Sequence, residues 1–170
     1  ALVKINGEIP IMDGSAKHFC EVLEKCGITE QDTKGRIVKI IKEIIVKDPK
    51  DENKFIKIEP SNKFSINYFL DFPGVFGKQE YSFTVEGRNS VKLFMTEIAP
   101  SRTFGFLEEI KQIEKKGMAL GGSLDSVIIV NKDKIMNTEL RFENEFARHK
   151  ILDIIGDTYL IGGKIQGKIT

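Results

Sequence analysis

Polar and apolar residues alternate through the middle of the chain. In NKFSINYFLDF, Phe64, Ile66, Tyr68 and Leu70 alternate with Ser65 and Asn67, and in YSFTV, Tyr81, Phe83 and Val85 alternate with Ser82 and Thr84. A period of two puts each set on one face of a strand, as in a half-buried antiparallel sheet. RIVKIIKEIIVKD reads the same way, with Val38, Ile40, Ile44 and Val46 on one strand face. Lys42 has their parity and interrupts that face. DPKDEN (48–53) reads as a turn and FIKIEP as the strand after it.

Helical spacing flanks this region. The Asp13-Gly14-Ser15 turn leads into a helix capped by Asp13 or Ser15, with Phe19, Val22, Leu23 and Cys26 as its apolar face and Gly27 at its end. Residues 90–99 predict a helix stopped by Pro100. SRTFGF reads as a loop or short strand. Phe106, Leu107, Ile110 and Ile113 predict a helix to Lys116 with Gly117 as C-cap, followed by the glycine-rich loop GMALGGSLD and the strand SVIIV. RFENEFARHKILDIIGDTYLIGG is the longest helical signal, and KIQGKIT starts a final strand. LVKIN at the start is strand-like, with little sequence before it to pair with. Together these elements predict an α+β fold, a sheet packed against helices.

Composition adds boundaries. At 41% hydrophobic and 30% charged over 170 residues, the chain can build a core and is not of disordered type. Its net charge of +1, with no basic block, gives no nucleic-acid footprint. No apolar run reaches the roughly 20 residues of a membrane span. No secretory leader is visible in ALVKINGEIP. Cys20 and Cys26 point to different faces of a helix and cannot pair there, which predicts reduced thiols in a cytoplasmic protein.

The chain has two histidines, His18 and His149. At 100° per residue, His149, Asp153 and Asp157 fall within an arc of about 80°, apart from the stripe of Ile151, Leu152, Ile155 and Tyr159. A neutral imidazole and a carboxylate on adjacent turns can share a zinc ion. The same spacing also makes an ordinary solvated His–Asp pair, worth a few tenths of a kcal/mol. Spacing alone leaves both readings open. His18, flanked by Lys17 and Glu21, reads as a surface residue. Gly121-Gly122-Ser123 lacks the lysine of a phosphate-binding loop and reads as a turn. Lys42 either snorkels from its apolar face or meets an anion.

Four blocks, EIPIMDGS, SRTFGF, GMALGGSLD and RFENEFARHKILDIIGD, occur in an order that resembles the UDP-3-O-acyl-N-acetylglucosamine deacetylase family of lipid A synthesis. The similarity extends over essentially the whole chain. The resemblance implies a two-domain zinc amidase in which each domain packs a sheet on a helical layer and the active site lies between them. On this reading residues 1–7 are the last strand of a first domain. Residues 8–170 are the second domain, truncated at its C-terminus, with a βαβ insert at about 100–131 that walls an acyl passage.

The resemblance also implies roles. His149 and Asp153 match two of three zinc ligands. Lys42 and Lys150 match basic residues around the nucleotide end of the substrate, and Phe64 an aromatic packing on the uracil. Thr103 matches a hydroxyl beside the reacting oxygen, and Asp157 a carboxylate supporting a catalytic histidine. Phe104, Ile110, Ala119, Gly122, Ser123 and Ile129 match positions lining the passage or its mouth. The family's third zinc histidine and glutamate base belong to an H-x-x-E-H-type motif that this sequence lacks, and its catalytic histidine is expected beyond KIQGKIT. The chain alone is therefore expected to be inactive, with the missing ligand supplied by the first domain. The alternative is a non-catalytic module that binds a UDP-sugar or an acyl chain.

Overall fold

The computed structural model describes residues 10–72, 74, 77–115, 125–132 and 134–170. Helix α1 spans Lys17–Cys26, followed by strands β1 (Ile37–Lys39), β2 (Ile44–Asp48), β3 (Asp51–Glu59), β4 (Phe64–Phe72) and β5 (Gly77–Val85). Helix α2 (Asn89–Leu93) runs into a π-helical turn, Phe94–Ile98. Then come β6 (Phe104–Phe106), α3 (Leu107–Lys115), β7 (Ile128–Asn131), β8 (Lys134–Ile135), α4 (Glu145–Tyr159) and β9 (Lys164–Ile169). The opening LVKIN, the predicted cap Gly117 and most of GMALGGSLD lie outside the described residues.

The main sheet has the order β2-β3-β9-β4-β5. The β4–β5 hairpin pairs Phe64 with Val85, Ile66 with Phe83 and Tyr68 with Tyr81, so the alternating apolar residues share one face. Helix α4 covers that face. Ile66, Phe83, Ile98, Ile151 and Ile169 form the core, with Ile58, Phe64, Tyr68, Tyr81, Phe94, Leu152, Ile154 and Ile155 packed around it. Each fully buried side chain of this size contributes on the order of 2 kcal/mol. Strand β9 runs parallel to β4 and antiparallel to β3, and its first half pairs in parallel with β1. At Gly167 the neighbours come close: a Cβ there would lie 2.6 Å from Ile40 Cγ1.

The second layer of structure is the predicted βαβ unit. β6 and β7 are parallel, joined through α3, and β8 adds an antiparallel edge. Ile128, Val130 and Phe146 make its core, so α4 packs the sheet with its later turns and this unit with its first. The chain is thus an α+β domain with sheets packed on helices.

Four expectations need correction. RIVKIIKEIIVKD is two strands with different partners, since β1 pairs with β9 and β2 with β3, and Lys42 sits exposed on the bend between them. The stripe on α1 is not covered by the described residues: Val22 and Leu23 are 59% and 65% exposed. Its cap position is Ala16 rather than Asp13 or Ser15, although the Lys17 N–H still donates to Ser15 Oγ. The helix before Pro100 forms, but its last turn widens, with Ala99 N–H donating to Phe94 O at 2.8 Å.

Candidate active site

Helix α4 carries the candidate ligands and is anchored at its start from two directions. Gln79 of β5 donates from Nε2 to Glu143 O and accepts from Ala147 N–H, one of the N–H groups a helix start leaves open. From the other side, buried Glu145 accepts from Arg102 N–H (3.0 Å), Nε (2.9 Å) and Nη2 (3.1 Å) and from Arg141 N–H (2.6 Å). Arg141 reaches on to Pro100 O and Asp13 Oδ2, both at 2.8 Å. The 100–103 loop, the 11–15 turn and the first turn of α4 are thereby one hydrogen-bonded assembly. Gly14 closes it at φ +79°, where a Cβ would overlap Ser126 O.

This assembly buries His149. His149 is only 7% exposed, so it does not lie on a solvated face, one of the two readings its spacing left open. Nδ1 lies 3.0 Å from Ser101 O. A carbonyl can only accept, so Nδ1 carries the proton and Nε2 presents a lone pair. Burial lowers the His149 pKa, against the opposing pull of Asp153 and the Ser101 carbonyl, and keeps the ring neutral. Nε2 faces Asp153 Oδ1 at 3.3 Å, while Asp153 Oδ2 accepts from Lys150 Nζ at 3.0 Å.

Two acceptors pointed at each other repel unless a cation sits between them. Ligand atoms held about 2.0–2.1 Å from zinc at a tetrahedral angle lie about 3.3–3.4 Å apart. The His149–Asp153 geometry therefore fits two corners of a zinc site. Among the described residues no group of three His, Cys, Asp or Glu completes it.

Around the pair, Phe104 meets the His149 ring edge-on with centroids 6.5 Å apart, and Lys150 Nζ sits 5.2 Å from the Phe104 centroid. Thr103 is held through its backbone, donating to Gly14 O and accepting from Ile128 N–H, both at 2.8 Å. Ile110 packs against Gly105 within the βαβ unit, and Ile129 is buried in β7. Ala119, Gly122 and Ser123 lie outside the described residues. Asp157 is exposed one turn past Asp153. Phe64 lies at the far end of β4, in a groove of about 630 Å³ shared with Ile155, Thr158, Tyr159 and Lys164. His18 is half exposed, with Asp13 and Glu21 carboxylates at 3.7 and 3.6 Å.

The structure thus gathers Phe104, His149, Lys150 and Asp153 tightly, with Thr103 one residue from Phe104. Phe64 packs against the core at the start of β4 and Lys42 sits exposed on the bend between β1 and β2, and neither joins these contacts. Four contributors escaped the pattern of the sequence. Tyr68 faces α4, and burial raises its pKa, with Lys150 and Asp153 near enough to act on it. Arg102, Arg141 and Glu145 form the anchor. The available signal was Glu145 itself, a carboxylate one turn before His149 and next to Phe146 and Ala147.

Fold and site together define an α+β domain bearing a His–Asp pair at metal-ligand spacing. The family model described as LpxC, UDP-3-O-acyl N-acetylglycosamine deacetylase, matches residues 1–170, and the chain belongs to that family. It is similar to the UDP-3-O-acyl-N-acetylglucosamine deacetylase of Nautilia profundicola, 45% identical over 163 residues covering 95% of this chain and 53% of the relative. The deacetylase of Campylobacter fetus subsp. fetus is 43% identical over 94% of this chain and 53% of the relative. The chain spans about half the length of these curated relatives.

Proposed function

We propose that this chain is the second domain of a zinc-dependent deacetylase that hydrolyses the 2-acetamido group of UDP-3-O-acyl-N-acetylglucosamine in lipid A synthesis. The observation that carries the reading is His149 Nε2 facing Asp153 Oδ1 at 3.3 Å, with the other ring nitrogen committed to Ser101. Family membership supports the substrate class. A bound zinc supplies a Lewis acid and lowers the pKa of water.

The chain's own residues have defined tasks. His149 and Asp153 hold the metal, and Lys150 holds Asp153 by its second oxygen. Thr103, on a loop fixed at both its N–H and its carbonyl, offers a hydroxyl to charge developing on the acetamido oxygen. Asp157 supports a histidine from outside this sequence. Phe104, Ile110 and Ile129, with Ala119, Gly122 and Ser123, line the acyl passage, while Lys42, Phe64 and Lys150 serve the nucleotide end. The acyl chain adds affinity through apolar burial.

The third metal ligand and the general base come from a first domain, to which residues 1–7, outside the described residues, are assigned. The second domain runs from residue 8, with its insert at about 100–131. With the third ligand and the general base supplied from outside it, the chain alone is inactive. The protein works in the cytoplasm; among the described residues no helix is long and apolar enough to cross a membrane.

The test is zinc content and deacetylation in the full-length protein containing this chain. Both are expected to collapse on His149→Ala. Undiminished amide hydrolysis in that variant, or after exhaustive chelation, overturns the reading.

A further inference from the structure

We propose that the buried Arg102–Glu145 pair is a positioning device for His149. It holds the peptide that dictates which ring nitrogen faces Asp153. The inference rests on the zinc reading above for its purpose, but the geometry stands independently.

The peptide unit joining Ser101 to Arg102 is gripped at both ends by α4. Its N–H donates to Glu145 Oε1 at 3.0 Å, and its C=O accepts from His149 Nδ1 at 3.0 Å. A trans peptide is rigid, with its N–H and C=O directed oppositely. Glu145 and His149 stand one turn apart, about 6 Å along the axis, so one flat group spans them. Fixing the N–H end therefore aims the carbonyl.

Glu145 itself has little freedom. It is fully buried and takes four donors, filling the acceptor sites of a carboxylate. Arg102 gives its remaining groups to Thr138 Oγ1 at 2.9 Å and Glu139 O at 2.6 Å. A neutral histidine without such a partner interconverts between two tautomers, and only the Nδ1–H form presents Nε2 to a metal.

The test compares wild type with an Arg102→Met/Glu145→Leu double variant. Apolar replacement of a whole buried ion pair commonly preserves stability, so a pair with only a structural role leaves the imidazole unchanged. The readouts are the 15N signals of the His149 ring in metal-free protein and zinc affinity by chelator competition, with urea unfolding as the control for folding. Wild type is expected to show the Nδ1–H tautomer alone. The folded double variant is expected to show a mixture and to bind zinc roughly 10- to 100-fold more weakly, the usual cost of losing an outer-shell partner. Glu145→Gln, which keeps the side chain's shape, takes its place if the double variant does not fold.

A wild-type ring in the Nε2–H form overturns the proposal, as does a folded variant with unchanged tautomer and affinity. A wild-type protein with the Nδ1–H tautomer that binds no zinc in its full-length form defeats the zinc reading and leaves the tautomer control intact.

Discussion

Lys150 Nζ lies 3.0 Å from Asp153 Oδ2, while the other oxygen of the same carboxylate faces His149 Nε2 at 3.3 Å. Both members of the Lys150–Asp153 pair are more than a third exposed, so it adds little to stability. Its effect is on geometry, because it restricts the rotation of the Asp153 carboxylate. Asp153→Asn should therefore separate binding from folding. Its unfolding free energy should stay within about 0.5 kcal/mol of wild type. Zinc affinity should fall by more than the roughly 100-fold upper range of an outer-shell loss. Isothermal titration beside urea unfolding checks both, and an unchanged affinity removes Asp153 from the ligand set.

Asp13 gives a pH dependence of known sign. Burial pushes its pKa up, but hydrogen bonds from Arg141 and Ser15 and the Arg141 charge outweigh this and leave it lowered. A carboxylate with a depressed folded pKa stabilises above the unfolded value of about 3.9, and that contribution is lost as pH falls through the lower folded value. Asp13→Asn should cost on the order of 1–2 kcal/mol at neutral pH and almost nothing once pH is below the folded pKa. Parallel urea curves at the two pH values test this; equal costs at both contradict it.

Gly14 and Gly167 are both crowded, for different reasons. At Gly14 a side chain meets backbone, Ser126 O, at a φ of +79°. At Gly167 it first meets the Ile40 side chain, which can shift. Gly14→Ala should destabilise by roughly 3 kcal/mol or more, and Gly167→Ala by about 1–3 kcal/mol. Thermal melts that rank them in the opposite order would show that the turn tolerates what the strand does not.

The two helical stripes differ in the same measurable way. Ile151 is fully buried between α4 and the sheet, and Ile151→Ala should cost about 2–5 kcal/mol. Leu23 is 65% exposed on α1, and Leu23→Ala should stay within about 0.5 kcal/mol in this chain. A large cost at Leu23 would mean that something packs on α1 in solution.

The β4–β5 hairpin was legible in the sequence because one face packs on α4 and the other does not, which is what alternation encodes. The break between β1 and β2 was marked only by Lys42, which interrupts the apolar parity from Val38 to Val46, and nothing local showed that the pairing changes there from β9 to β3. Partners some 125 positions apart leave no local trace in a strand. The same reason explains His149. Helical spacing grouped it with Asp153 and Asp157, but its burial comes from Ser101, 48 positions earlier. Local period reports where a side chain points along its own element and says nothing of what arrives from elsewhere. The family resemblance singled out His149 and Asp153 as a pair but carried nothing about the burial of His149. The Arg102–Glu145 clamp behind His149 was visible only in the folded structure.

Strand β9 follows every other described strand in the chain, yet it lies at the middle of the main sheet, between β3 and β4. During synthesis from the ribosome, the β2–β3 and β4–β5 hairpins emerge well before the strand that joins them. Until β9 arrives, each exposes an open edge that invites pairing with another nascent chain. Assembly of the sheet is therefore a late event governed by long-range pairing.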